Sequence, residues 1–145
     1  MRTGLFTGTF DPFTIGHKDI VDRALPLFDH LIIGVAESDL KHTSRSLQDR
    51  LDAIRRLFAD DDRVRVVAYK DLTIDLARRE QASFIIRGVR SVKDYEYELA
   101  QADFNRRMGG VETLLLPARP ELGFVSSSLV RELEFFGKDA SSFLP

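Results

Sequence analysis

The segment GTFDPFTIGH, residues 8–17, joins a short apolar run to a helical pattern and carries more chemistry than a connection needs. Turns between a strand and a helix take about two to six residues. Here Gly16 and His17 open the helical stretch. Glycine lets a ligand approach the backbone closely. A helix N-terminus offers unpaired N–H groups and a partial positive charge to an anion. His17 therefore stands where a phosphate would be bound. Three other segments carry phosphate-suited groups. Arg87 and Arg90 flank Gly88 in IIRGVR, and the arginine fork matches phosphate oxygens. Ser126, Ser127 and Ser128 precede the last helical pattern. Lys41 lies in the polar stretch ESDLKHTSRS. Each has an ordinary reading as well: an exposed histidine, solvated arginines and lysine, serines that only cap a helix. The chain lacks GxxxxGK[ST], and its first turn is not GxGxxG, which excludes a P-loop and argues against a dinucleotide oxidoreductase.

The elements that must position these groups alternate along the chain. TGLFTG (3–8), LIIGVA (31–36), VRVVAY (64–69), SFIIR (83–87) and VETLLLP (111–117) read as five strands. Between them, Ile20, Val21, Ala24 and Phe28 stripe one helix, and Leu47, Leu51, Ile54 and Phe58 a second. Leu72, Leu76 and Ala77 suggest a short third. Ser91 with Asp94 resembles a capping box that opens a long fourth helix, stopped at Gly109–Gly110. The ordinary reading of its DYEYE segment is a helix surface with two half-buried tyrosines. Leu129, Val130, Leu133 and Phe136 should face inward on the fifth. This order predicts an α/β fold: a Rossmann-like, doubly wound, five-stranded parallel sheet with helices on both faces, within one domain spanning 1–145. Ligands bind such sheets beyond the carboxyl ends of the strands. His17, Lys41, the two arginines and the serines all follow a strand and so fall on that rim.

Composition narrows the classes. A hydrophobic content of 43% is that of a globular chain. A net charge of −2 gives no general attraction to nucleic acid or an anionic membrane, so an anion site must be built locally. The absence of cysteine excludes disulfides, thiolate catalysis and Cys-ligated zinc, and agrees with a reducing compartment. No apolar run reaches the roughly 18 residues of a membrane span, and Asp11–Pro12 interrupts any signal-like core. A cytoplasmic protein is expected.

The segments GTFDPFTIGH, IIRGVRSVKDYEYE, NRR and FVSSSLVRE, with Lys41 and KDLT, resemble the phosphopantetheine adenylyltransferase family of coenzyme A biosynthesis, in order over nearly the whole chain. TxGH and SSS alone are shared by a wider nucleotidyltransferase superfamily. The resemblance implies adenylyl transfer from ATP to 4′-phosphopantetheine, giving dephospho-coenzyme A and pyrophosphate, with Mg²⁺, no metal-ligating side chains, coenzyme A as a feedback inhibitor and a homohexamer. It also implies roles: His17, Thr9, Lys41 and Arg90 for catalysis, with His17 donating to the α-phosphate and Thr9 beside it. Thr9, Phe10, His17, Gly88, Val89, Arg90, Glu98, Leu122, Gly123, Phe124, Val125, Ser126, Ser127 and Ser128 are matched to ATP. Thr9, Lys41, Asp71, Leu72, Thr73 and Arg87 are matched to phosphopantetheine. The chain departs from the family pattern at Thr73, Gln101, Leu122, Gly123 and Phe135, and at its SSFLP end. Two other readings remain: a nucleotidyltransferase with a different phosphorylated acceptor, and a non-catalytic ATP-binding module.

Overall fold

The computed structural model describes residues 1–38 and 42–145, so Lys41 lies outside the described residues. The strands are β1 (Thr3–Gly8), β2 (His30–Ala36), β3 (Val64–Tyr69), β4 (Phe84–Val89) and β5 (Glu112–Pro117). They form one parallel sheet in the order β3-β2-β1-β4-β5. The order reverses between β1 and β4, which opens a crevice beyond their carboxyl ends. The helices are α1 (Ile15–Ala24), α2 (Leu47–Leu57), α3 (Thr73–Arg79), α4 (Val92–Gly109) and α5 (Ser127–Phe135). The expected α/β architecture is present.

Strand periodicity explains the two covered faces. Neighbouring residues point to opposite sides of a sheet. Phe6, Ile33 and Ile86 join a core with Ile20, Val21 and Ala24 of α1 and Leu51 and Ile54 of α2. Leu5, Ile32 and Ile85 join the other core with Ile74, Leu76 and Ala77 of α3. Each adjacent pair (Leu5–Phe6, Ile32–Ile33, Ile85–Ile86) thus supplies both cores, which is why the strands read as continuous apolar runs.

Local chemistry sets the helix ends. Ser46, Ser91 and Ser126 cap α2, α4 and α5, their hydroxyls accepting from Asp49 N, Asp94 N and Leu129 N. Gly110, with φ 65°, closes α4.

Four expectations change. Phe28 is buried but is not part of α1: Pro26 lacks the N–H for the next helical bond, the chain tightens into a 3₁₀ turn over Leu25–Leu27, and Phe28 is extended. Phe136 is exposed and stacks edge-on against exposed Phe135, because α5 ends before its last apolar position meets the core. Tyr95 and Tyr97 are exposed rather than half-buried, since α4 lies with Glu98 and Asn105 inward. Asp94 does not complete a capping box: its carboxylate accepts from Arg90 N at 3.0 Å instead of Ser91 N.

Candidate active site

The β1–α1 turn is tied from three sides. Asp11 is buried, and its carboxylate accepts from Ser44 N (2.9 Å), Ser44 Oγ (3.1 Å) and Arg45 N (2.9 Å), anchoring the segment before α2. Three carbonyls of the turn accept from side chains elsewhere. Arg50 of α2 donates to Thr9 O at 2.7 Å, Arg131 of α5 to Asp11 O at 2.7 Å, and Ser127 Oγ to Pro12 O at 2.7 Å. Phe10 is held at φ 52°, a left-handed conformation that disfavours a residue with a Cβ. The Asp11–Pro12 peptide bond is cis.

His17 is set by the helix cap. Thr14 N donates to His17 Nδ1 at 2.9 Å, while His17 N donates to Thr14 Oγ1 at 3.4 Å. Because a backbone N–H can only donate, Nδ1 accepts, and the proton of the neutral ring resides on Nε2. The ring is packed among Phe10, Phe13 and Phe6, with centroids 5.0, 5.3 and 6.3 Å away. Burial first, then the positive charges of Arg87 and Arg90, lower its pKa from 6.5 to about 4. At neutral pH His17 is thus an uncharged hydrogen-bond donor.

The other rim segments converge on the same place. At Gly88 a Cβ would lie 3.1 Å from Ile20 Cγ1, so the missing side chain lets α1 sit close over β4. At Gly16 the neighbours leave ordinary room, 3.4 Å to Thr14 Oγ1 and 3.8 Å to Val125 O. Nothing in the protein itself demands glycine there, and the space is available to a ligand. Arg90 donates to Asp94 through N and Nε and reaches Val125 O at 3.4 Å. Arg87 pairs bidentately with buried Glu98, at 3.0 and 2.8 Å, and also donates to Thr7 O. The three serines divide their work: Ser126 caps α5, Ser127 bonds the turn, and Ser128 accepts from Arg131 at 3.2 Å.

Two cavities result. The first, about 410 Å³, is lined by Thr9, Phe10, Gly16, His17, Gly88, Val89, Arg90, Leu122, Val125 and Ser126 to Ser128 among others. The second, about 320 Å³, is lined by Tyr69, Leu72, Thr73, Gln101 and Phe104 among others. They share Thr7, Gly8, Thr9, Arg87, Tyr97 and Glu98 as a common wall. Thr9, Arg87 and Glu98 thus face both. Three expected residues line neither. Asp71 is exposed and paired with Arg79, Phe124 is exposed and packs edge-on to Phe143 at 5.6 Å, and Gly123 accompanies Phe124.

Sequence reading missed Asp94, Tyr97 and Arg131 in the first cavity and Arg50 behind it. Asp94 read as a cap and Tyr97 as surface. Arg131 follows Ser128 by three residues, a helical neighbour spacing that was available as a signal. Arg50 interrupts the apolar stripe Leu47–Leu51–Ile54, and a charge on a buried face was the clue to it.

The carboxylates that line the cavities do not fit a resident Mg²⁺ cage. Asp11, Asp94 and Glu98 each already accept from N–H donors, and no cluster of three His, Asp or Glu side chains suited to a metal exists among the described residues.

The chain as a whole is similar to known proteins. The cytidylyltransferase-like family matches residues 5–133. A phosphopantetheine adenylyltransferase of Phocaeicola vulgatus is 52% identical over 100% of this chain and 96% of its own length. The chain belongs to the phosphopantetheine adenylyltransferase family. A second member, from Bacteroides thetaiotaomicron, is 50% identical over 100% of this chain and 96% of its own. The crystal structure of a bifunctional NMN adenylyltransferase/ADP ribose pyrophosphatase from Francisella tularensis superposes with a TM-score of 0.75 at 16% identity, covering 99% of this chain and 44% of that one, and so shares the fold. No helix among the described residues is long and apolar enough to cross a membrane.

Proposed function

We propose that the chain transfers the adenylyl group of ATP to 4′-phosphopantetheine, releasing pyrophosphate and forming dephospho-coenzyme A. The observation that carries the mechanism is the tautomer of His17: Nδ1 is occupied by Thr14 N, so Nε2–H is the free donor in the cleft. The phosphate of phosphopantetheine has a second pKa near ~6 and is mostly dianionic at neutral pH. It needs no base. One of its oxygens bonds to the α-phosphorus of ATP, the bond from that phosphorus to the bridging β-oxygen breaks, and pyrophosphate leaves. The protein's task is to hold two anions together and to stabilise the charge of the transition state. Neutral His17 donates without a proton transfer, alongside the N-termini of α1 and α5. The first cavity takes ATP and the second the pantetheine arm, so their phosphates meet at the shared wall of Thr9 and Arg87. Lys41 is assigned to the phosphopantetheine side on the resemblance alone.

Mg²⁺ would enter with ATP rather than occupy a resident protein site, and would offset phosphate charge there. Residues 1–145 act as one nucleotidyltransferase domain in the cytoplasm. The reading includes a homohexamer and feedback binding of coenzyme A. Exposed Val92, Tyr95, Leu99 and Met108 along α4 are apolar surface that such an assembly would cover. Light scattering tests the hexamer, and competition by coenzyme A against phosphopantetheine tests the feedback. The decisive assay is pyrophosphate release from ATP with 4′-phosphopantetheine against other phosphorylated acceptors. Release only with a different acceptor would move the protein to another branch of the superfamily. ATP binding without release with any acceptor would leave a nucleotide-binding module.

A further inference from the structure

Arg50 is 4% exposed, in the middle of the buried face of α2, between Leu47, Leu51 and Ile54. Its Nη1 donates to two carbonyls, Thr9 O at 2.7 Å and Ala36 O at 2.9 Å. Those two residues follow the last paired rung of β1 and β2, Gly8 opposite Val35. Beyond that rung β1 leaves the sheet for the turn. Arg50 thus continues the ladder with a side chain where the backbone ladder has ended. Among the described residues it forms no ion pair, and its Nε has no hydrogen-bond partner.

A buried guanidinium without a carboxylate is costly, and an apolar side chain of similar size would suit this stripe better on stability grounds alone. What the arginine supplies and an apolar residue cannot is the fixed direction of the Thr9 carbonyl. That carbonyl belongs to the peptide leading into Phe10, which is held in its left-handed conformation at φ 52°. The same peptide lies between Thr9, on the wall of both cavities, and Phe10, whose ring packs edge-on against His17. We propose that Arg50 is a positioning residue: by holding Thr9 O and Ala36 O together from behind the sheet edge, it fixes the backbone that presents Thr9 and supports His17 at the reacting phosphate. This rests on the functional reading above.

The test compares Arg50→Met, Arg50→Lys and, as a control for lost packing, Ile54→Ala one turn along the same face. Steady-state kinetics with both substrates are read beside amide hydrogen exchange of a peptide covering residues 5–17. In Arg50→Met, kcat should fall about 10- to 100-fold, the range a small misplacement of reacting groups can cost, with KM for ATP within about threefold. Exchange in the turn should rise. Arg50→Lys, able to reach one carbonyl, should recover part of kcat. Ile54→Ala should lower Tm while kcat stays within about twofold. Folded Arg50→Met with wild-type kcat and unchanged turn exchange would overturn the proposal. So would an Ile54→Ala enzyme that loses kcat in the same proportion to its loss of Tm. If Arg50→Met does not fold, Arg50→Lys decides: reduced kcat at constant KM supports the role, and full activity refutes it. If wild-type protein releases no pyrophosphate, the functional reading fails, and the exchange comparison alone decides whether Arg50 fixes the turn.

Discussion

The β1–α1 turn and the connection from β5 to α5 both deliver residues to the cleft, and they are built differently. In the turn, buried Phe10, Asp11, Phe13 and Thr14 are enclosed by the core, and the carbonyls of Thr9, Asp11 and Pro12 each receive a side-chain donor from α2 or α5. The β5–α5 connection is held to α1 chiefly by contacts nearer the surface. Arg119 donates to Asp19 at 2.7 Å, and Arg23 joins the same carboxylate and Pro117 O. Its Phe124 is exposed. The difference matches the demands of the proposed chemistry. Stabilising a transition state needs donors fixed before charge develops, whereas recognition of a nucleotide's outer parts tolerates adjustment.

Breaking the rigid region should cost most. His17→Ala should lower kcat by about 10²- to 10³-fold, as loss of an oxyanion donor does, with smaller changes in KM. Near-normal turnover would remove the role assigned to Nε2–H. The same residue sets an acid dependence of stability. Its folded pKa of about 4 lies below its ordinary 6.5, so between these values the unfolded chain binds a proton that the folded protein excludes. Stability should therefore fall as pH drops from about 6.5 towards 4, and His17→Asn should flatten that slope in urea unfolding at pH 5 and 7.

Next in size is the common wall. Arg87→Ala leaves the buried Glu98 carboxylate without its partner and should cost about 2–3 kcal/mol of stability, besides weakening phosphopantetheine binding. Arg87→Ala with unchanged unfolding would show that the pair carries no structural load. Ser127→Ala strips one donor from the turn; a loss of about 1 kcal/mol is expected, with a fall in kcat rather than in ATP affinity. The smallest effect should come from the looser region. Burial pushes the Asp19 carboxyl up, but hydrogen bonds from Arg119 and Arg23 outweigh it and hold the group below its usual range. Asp19→Asn removes part-buried pairing with Arg23 and Arg119 near the surface, worth about 1 kcal/mol, so KM for ATP should rise no more than about fivefold and kcat should hold. A larger loss of kcat from Asp19→Asn than from Ser127→Ala would invert the contrast between the two regions.

Much of this was legible beforehand for identifiable reasons. A strand buried on both faces writes a continuous apolar run, so β1 was bounded to the residue. Helix caps use a few residue types, so Ser91 and Gly110 marked α4. His17, Gly16, Arg90 and the serines stood out as candidates because phosphate sites draw on few chemistries, and the fold gathers them around one cavity. What stayed hidden depended on partners distant in sequence. Arg131 meets Asp11 across 120 positions, and Arg50 meets Thr9 across 41. The bidentate hold of Glu98 on Arg87 was equally unreadable from DYEYE, where every second residue could have faced inward.

By itself, the sequence determined the parallel α/β order, the rim on which the site lies, and the residue types able to handle phosphate. These are local properties: periodicity, caps and side-chain chemistry act over a few residues. Only the tertiary structure decided that His17 is a neutral donor, that Arg87 is already paired, and that the first turn is braced from behind by a buried arginine. Tautomer, burial and the reach of a guanidinium depend on which segments meet in space, and that meeting is made by the folded sheet.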